Sequence, residues 1–388
     1  MTAERPLEVL VVGAGLAGLA LCVGLGRLGA RITLVEHAPA LDDAGAGLLL
    51  TGNGLRVLDA FGLGAQARTA GRRVDAVCFA DASGAERFRL PIRDPWPEFV
   101  SLHRARLRRI LLEAARPIEP RWGVRVERLE PAADGVGAAL SDGEGRRFDL
   151  VVGADGVHSA TRESLFGGAG AVAIEGFRGW RFVSPAPDHL PDPVYLLGNG
   201  RTLLLHPLAE GDVYCGAGPV ACAAGSLGAD ADAGAEAGAE RAALLEAFSD
   251  FGGPARAVLD ALDDSIRLIP TVYWEVDLPR WTRGHCVLVG DAAHASAPTL
   301  AQGASMAFED AAVLCEELAR GGPVPEALVR FEGRRRPRVV ATQREARARM
   351  EANRPVSPRG LAVRDQVLRR FGRMQLEAAW GRLMDERP

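Results

Sequence analysis

The chain has 388 residues, 46 basic against 50 acidic side chains and a formal charge of −4, so its charge balance gives no reason to expect nucleic acid as a partner. Hydrophobic residues make up 48% and charged residues 25%, an ordinary globular balance, and the length allows two or three domains with a sizeable core. Every fixed cation is an arginine; lysine is absent, which excludes a pyridoxal Schiff base and a P-loop lysine.

The first predicted element is a buried parallel strand over residues 7–12, short, apolar and β-branched. It runs into Gly13-Ala14-Gly15-Leu16-Ala17-Gly18, a helical stretch from Leu19 to Leu28 stopped by Gly29, and a second strand, Arg31 to Val35, closed by Glu36. This is a dinucleotide fingerprint in its required βαβ context. Gly13 permits the tight turn, Gly15 admits a pyrophosphate to the backbone, and Gly18 lets helix and strand pack closely. The helix N-terminus offers free N–H groups to the phosphates, and Ala17 counts with the binding residues of this turn. Glu36 is placed to accept hydrogen bonds from a ribose diol and disfavours a 2′-phosphate. The fingerprint alone leaves FAD and NAD both open. The uncharged run Val9 to Gly26 is just long enough to span a membrane, but its patterned glycines and the strand that follows argue for a buried strand-turn-helix. With no basic leader, the expected location is the cytoplasm.

Residues 148–162 (FDLVVGADGVHSATR) form a strand, Leu150 to Val152, that ends on Gly153-Ala154-Asp155-Gly156 and leads to Arg162. Residues 286–311 (CVLVGDAAHASAPTLAQGASMAFEDA) form another, Cys286 to Val289, ending on Gly290-Asp291, with a helix from near Gln302. Each places an aspartate at the C-terminal end of a buried strand, where open α/β sheets bind ligands; the bland alternative for each is a helix cap. Residues 73–100 and 173–276 read as strand and turn, with VYLLGN, RTLLLHPL and DVYCGAGPV as strands. Residues 221–243 are small, acidic and low in complexity, a surface loop leading into a helix. The tail from Glu326 is helical and Arg-rich, and its charge run reads as a solvated face. Six cysteines, scattered without a Cys-x-x-Cys pair, suggest neither disulfides nor a metal site.

The three motifs together, GxGxxG, GADG-x-x-S-x-x-R and GDAAH…P…GQG-like…EDA, resemble the group A flavoprotein monooxygenases of the para-hydroxybenzoate hydroxylase fold, over residues 7 to about 340. The resemblance implies an α/β fold: a discontinuous Rossmann-type FAD-binding domain (1–72, 101–172, 277–322), a β-sheet substrate domain (73–100, 173–276) and a C-terminal helical segment (323–388). It implies FAD on Gly13, Gly15, Gly18 and Glu36, with Asp291 against ribitol and pyrophosphate and Asp155 tied to both FAD and nicotinamide contact. It points to Arg104 as a further FAD contact, with Arg106 and Arg108 as alternatives on the same helix turn. Pro298 would border the flavin ring, and the backbone of Gly303, Ala304 and Ser305 would face its pyrimidine edge. Three positions depart from the family pattern: His37 stands for an arginine, Ala301 for a glycine and Ser305 for an asparagine.

The implied activity is an NAD(P)H- and O2-dependent oxygenation of an aromatic or polycyclic small molecule through a flavin C4a-hydroperoxide. The nicotinamide nucleotide would bind transiently, and the protein would be a monomer or homodimer with no membrane span. Catalytic candidates on the substrate sheet are Arg181, His206 and Tyr214; Phe177, Trp180, Tyr195 and Trp274 are further pocket candidates, each with core packing as its bland alternative. One rival is a flavin-dependent halogenase, against which the missing lysine and Trp-x-Trp-x-Ile-Pro segment count. The other is a flavin-binding protein without turnover.

Overall fold

A computed structural model describes residues 5–42, 46–93, 96–167, 171–221 and 237–385, with only the backbone described at 171–177, 220–221, 237 and 385. The candidate Phe177 side chain, Cys222 and residues 222–236 of the acidic segment lie outside the described residues. The first layer is a six-stranded sheet ordered Thr282–Arg283, Cys286–Leu288, Leu150–Gly153, Glu8–Val12, Arg31–Glu36 and Arg121–Trp122. All pairings are parallel except the 282–288 hairpin. Its central strands are apolar because the Leu16–Arg27 helix and a three-stranded sheet of Gly145–Phe148, Gly135–Leu140 and Val126–Ala132 pack on them, and Val9, Leu10 and Val11 are fully buried. The run from Val9 is thus a buried strand, turn and helix (Leu16–Arg27). Among the described residues no helix is long and apolar enough to cross a membrane. The Leu16–Arg27 helix meets the Gly303–Ala319 helix so closely that a Cβ on Gly24 would lie 2.5 Å from Cys315 Sγ. Cys22, Cys78, Cys215, Cys286 and Cys315 are all buried free thiols, small apolar residues of the core.

The second layer is a seven-stranded sheet ordered Ile269–Val276, Ala171–Pro185, Asp212–Ala221, Thr202–Pro207, Val194–Leu197, Ala76–Asp81 and Glu86–Pro91. One face is sealed by the helices Ala237–Ala247 and Pro254–Asp260, over a core that includes Phe182, Leu203, Leu205, Phe248 and Phe251. The other face turns toward the nucleotide sheet. A small sheet of Gly47–Leu50, Phe99–His103 and Arg72–Val74 lies at that junction, where a Cβ on Gly47 would lie 2.4 Å from Tyr214 Cβ. Two long helices, Val324–Ala352 and Pro358–Asp385, complete the chain, with Trp380 edge-on to Phe99 at 5.2 Å.

Candidate active site and cofactor groove

The glycines of the first turn are required for three different reasons. Gly13 takes φ +104°, and a Cβ there would lie 2.5 Å from the Ala154 carbonyl oxygen. A Cβ on Gly18 would lie 1.9 Å from the carbonyl oxygen of Gly13, so turn and helix could not close. Around Gly15 no atom lies within 4 Å of such a Cβ, and the helix that follows has no side chain capping its N-terminus. Open space above uncapped N–H groups is what a diphosphate requires. Buried Glu36 accepts the N–H of Ala14 at 2.7 Å and that of Ala38 at 3.0 Å, and its carboxylate lies 2.9 Å from exposed His37 Nδ1.

The second motif ties the first to the third. The Asp155 carboxylate accepts the Ser159 hydroxyl at 2.5 Å and both the N–H and hydroxyl of Thr161 at 2.9 Å, so it holds the start of its own helix, Ala160–Phe166. That turn carries buried Arg162, which donates to the Val157 carbonyl at 2.6 Å and to the Ala292 carbonyl at 3.0 Å. In the third motif Gly290 takes φ +57°, where a Cβ would lie 3.1 Å from Ala17 Cβ and 3.5 Å from that of Ala307. Asp291 is exposed, with Oδ1 4.0 Å from where a Cβ on Gly303 would sit. Gly15, Ala17, Asp291, Gly303 and Ala304 therefore border one groove onto which two helix N-termini open. Pro298 is exposed on the loop beside it. Ala301 of that loop sits at φ +54°, a left-handed conformation that costs an alanine roughly 1 kcal/mol more than a glycine.

Behind the groove lies a buried polar network that the sequence reading did not anticipate. Arg335, fully buried, donates to Asp310 at 2.8 Å and Glu309 at 2.6 Å; Arg338 donates to both Glu309 oxygens at 2.9 Å. Asp310 also accepts the Gly290 N–H at 2.9 Å and lies 2.6 Å from His294 Nε2, so it fixes the turn that carries Asp291. Burial opposes its charge, but His294 and Arg335 outweigh burial and hold the carboxyl down at about 2. Glu309 accepts Asn53 at 2.8 Å, and Asn53 leads through Gln302 (3.0 Å) to Thr51 and Ser305 (2.8 Å apart). The Ser305 hydroxyl is thus held inside the protein against Thr51. The Arg-rich tail expected to be a solvated face instead supplies two of the network's cations, because their carboxylate partners lie on a neighbouring helix.

Of the three candidate arginines among the four on the Arg104–Ala114 helix, Arg106 pairs with Glu210 and Arg108 donates to the Ala14 carbonyl at 3.2 Å. The Arg104 side chain is exposed and has no hydrogen-bond partner among the described residues. On the second sheet, residues directly opposite share a face. Register therefore puts Arg181, Tyr214, His206 and Tyr195 together on the face toward the nucleotide domain: Arg181 is opposite Gly216, Gly216 opposite Leu204, Leu204 opposite Tyr195, and Tyr214 opposite His206. Trp180 points the other way, fully buried in the helix-covered core, where its indole N–H donates to Glu240. Trp274 packs edge-on against His158 at 4.8 Å. His206 Nε2 lies 3.2 Å from Tyr195 Oη, and burial pushes the imidazole down to about 3, so it is neutral at physiological pH. Tyr273 went unremarked in the sequence, although alternation with Thr271 and Ile269, opposite Gly179 and Arg181, is the signal that finds it.

Comparison with known proteins bears on this groove directly. The FAD binding domain family matches residues 6–191 and 263–346. The chain belongs to the group A FAD-dependent monooxygenases. This flavoprotein is 34% identical over 358 residues to 3-amino-4-hydroxybenzoate 2-monooxygenase of Streptomyces cremeus, covering 89% of this chain and 87% of that one. It is 32% identical over 356 residues to 3-hydroxybenzoate 6-hydroxylase 1 of Aquipseudomonas alcaligenes, covering 88% of each. Klebsiella pneumoniae HpxO, solved with FAD and uric acid, matches at TM-score 0.84 and 25% identity over 96% of this chain and 95% of its own. FAD is the cofactor of this oxidoreductase, and the groove fits it: open space at Gly15, two uncapped helix N-termini and an exposed carboxylate at Asp291. Asp291→Ala should raise the FAD dissociation constant about tenfold, since a lost hydrogen bond to a charged group costs roughly 1.5–3 kcal/mol. Fluorescence titration of the apoprotein measures this, and unchanged affinity would remove Asp291 from the site.

Proposed function

We propose that the flavoprotein oxygenates an aromatic or polycyclic small molecule held between Pro298 and the sheet face carrying Arg181, Tyr214 and Tyr273, with NAD(P)H as transient reductant and O2 as co-substrate. The observation that supports this most is the close packing of Gly290 on Ala17 and of Gly13 on Ala154, which brings all three motif segments together. The relatives act, by name, on hydroxybenzoates, and HpxO holds uric acid, all compact ring systems. Bound FAD, once reduced, would supply the oxygen-activating chemistry. Gly13, Gly15, Ala17 and Gly18 would seat its pyrophosphate, Glu36 its ribose, and Asp291 with Arg104 its ribitol side. The N–H groups of Gly303 and Ala304 would place positive potential at the ring's pyrimidine edge. The seven-stranded sheet, sealed behind by its own helices, would keep water from the ring. Purified protein should carry flavin absorbance and consume NAD(P)H and O2 in a ratio set by an aromatic effector. A folded protein that binds no FAD would overturn the reading.

A further inference from the structure

We propose that the outward face of the last helix, Pro358–Asp385, is a docking surface for an anionic lipid bilayer, on which the protein lies peripherally. Among the described residues seven large apolar side chains are exposed, and five of them, Val356, Val363, Val367, Phe371 and Met374, belong to this helix or the turn before it. At 3.6 residues per turn the last four fall within about 80° of one another around the helix. Val356 extends the same row: its Cβ lies 3.0 Å from where a Cβ on Gly360 would sit, one turn before Val363. Val363 and Met374 are 63% and 59% exposed, so the row stands in water. It runs along about 17 Å of helix.

The opposite side of this helix is firmly packed. Leu376, Ala379 and Trp380 are buried, and a Cβ on Gly372 would lie 2.5 Å from Phe88 Cε1. Arg364 donates to the Gly198 carbonyl at 2.7 Å, and Asp365 is held by Arg87 at 3.0 Å. A surface helix ordinarily turns its apolar stripe to the core and charge to the solvent. This one has apolar residues on both sides, and the outer set is left exposed.

Charge selects what covers it. Arg359, Arg370 and Arg373 fill the sector beside the apolar row, with Arg369 beyond them, and all four are exposed. Glu377 accepts Arg373 at 2.8 Å, and the Arg370 guanidinium lies over the Phe371 ring at 5.6 Å. Arg359, Arg369 and Arg370 have no carboxylate partner among the described residues. A second copy of the helix would set arginines against arginines, with Glu377 the acid on this face to offset them. An anionic bilayer meets all four, while Val363, Val367, Phe371 and Met374 enter the headgroup boundary, as in an interfacial helix. Arginine stems run along apolar neighbours and keep the charge at phosphate depth. Because the helix is already formed and anchored, docking costs little ordering. It packs on the sheet edge where Phe88 stacks on Phe79 at 4.5 Å and Phe79 on Tyr195 at 4.9 Å. On the function proposed above, that contact holds the enzyme where apolar ring compounds collect; the lipid contact itself does not depend on that function.

The test sediments the FAD-loaded protein with vesicles of equal parts phosphatidylcholine and phosphatidylglycerol, and with vesicles of phosphatidylcholine alone. Binding to the anionic vesicles should be about tenfold or more tighter, and should weaken as salt is raised. Val363→Asp with Met374→Asp, and separately Arg369→Gln with Arg370→Gln, should each lower it about tenfold or more. Flavin content and the unfolding midpoint should not change, since all four side chains are exposed. No sedimentation with anionic vesicles at low salt, equal binding to neutral ones, or binding that survives either pair of substitutions would each overturn the inference. So would a dimer in sedimentation velocity that Val363→Asp with Met374→Asp dissociates, since the face would then join two copies. Failure of the monooxygenase reading looks different: protein without flavin, or without NAD(P)H oxidation, that still binds vesicles.

Discussion

Replacing Arg335 with methionine should destabilise the protein by about 3–5 kcal/mol, the range for removing one partner of a buried ion pair. The volume is nearly kept, but Asp310 and much of Glu309 lose the cation that compensates their burial. Arg338 still reaches Glu309, so the loss falls mainly on Asp310. The unfolding midpoint of the apoprotein in urea at pH 7 gives the measurement, and an unchanged midpoint would mean the network contributes nothing. FAD retention should fall in parallel, because Asp310 holds the Gly290 N–H and His294 and so sets the turn on which Asp291 stands. The same carboxylate gives the wild type a pH signature. Asp310 is held at about 2 in the fold, against about 3.9 in an unfolded chain. Its contribution is complete above pH ~4 and is lost as the pH falls from there toward 2.

Gly15→Val should leave the fold intact and weaken FAD binding by tenfold to a hundredfold. Gly15 has extended backbone, φ −75° and ψ −174°, which valine adopts without strain, and no protein atom stands where the new Cβ would go. The added methyl groups occupy the space a diphosphate needs above the helix N-terminus, and each lost hydrogen bond to a charged group costs roughly 1.5–3 kcal/mol. Gly18→Ala is the contrast: its Cβ would strike the Gly13 carbonyl oxygen, so it should lower the unfolding midpoint as well as the flavin content. Circular dichroism with flavin absorbance separates the two variants. A Gly15→Val protein that still purifies yellow at low added FAD would remove the diphosphate from this turn.

The cofactor groove was largely legible in the sequence because its chemistry is local. Gly13, Gly15, Gly18 and Glu36 fall within one strand-turn-helix-strand unit, where each glycine's spacing already encodes a turn, an approach or a packing contact. Asp155 shows the limit of that kind of reading. Its place after a buried strand is visible in the chain, but that its carboxylate turns onto Ser159 and Thr161 depends on the conformation of the loop. Ala301 likewise reads as a small change from glycine, while its cost comes from a positive φ that no spacing reveals.

By itself the sequence determined the fold class, the cofactor and the reaction family, through short contiguous motifs whose geometry is fixed within a few residues. Tertiary structure decided which side chains of the second sheet face the nucleotide domain and which arginines are buried. Arg335 sits in a run of arginines that reads as solvated, yet its partners lie 25 and 26 residues earlier, on another helix, and only packing makes the three meet. Trp180 and Arg181 alternate along one strand, so they must face opposite ways. Which way each faces was not readable, because the sheet is covered on both sides, by its own helices on one and by the nucleotide domain on the other. A two-sided sheet gives no polar face to mark the outside, and it takes the register of seven strands to place Trp180 in the core and Arg181 on the opposite face.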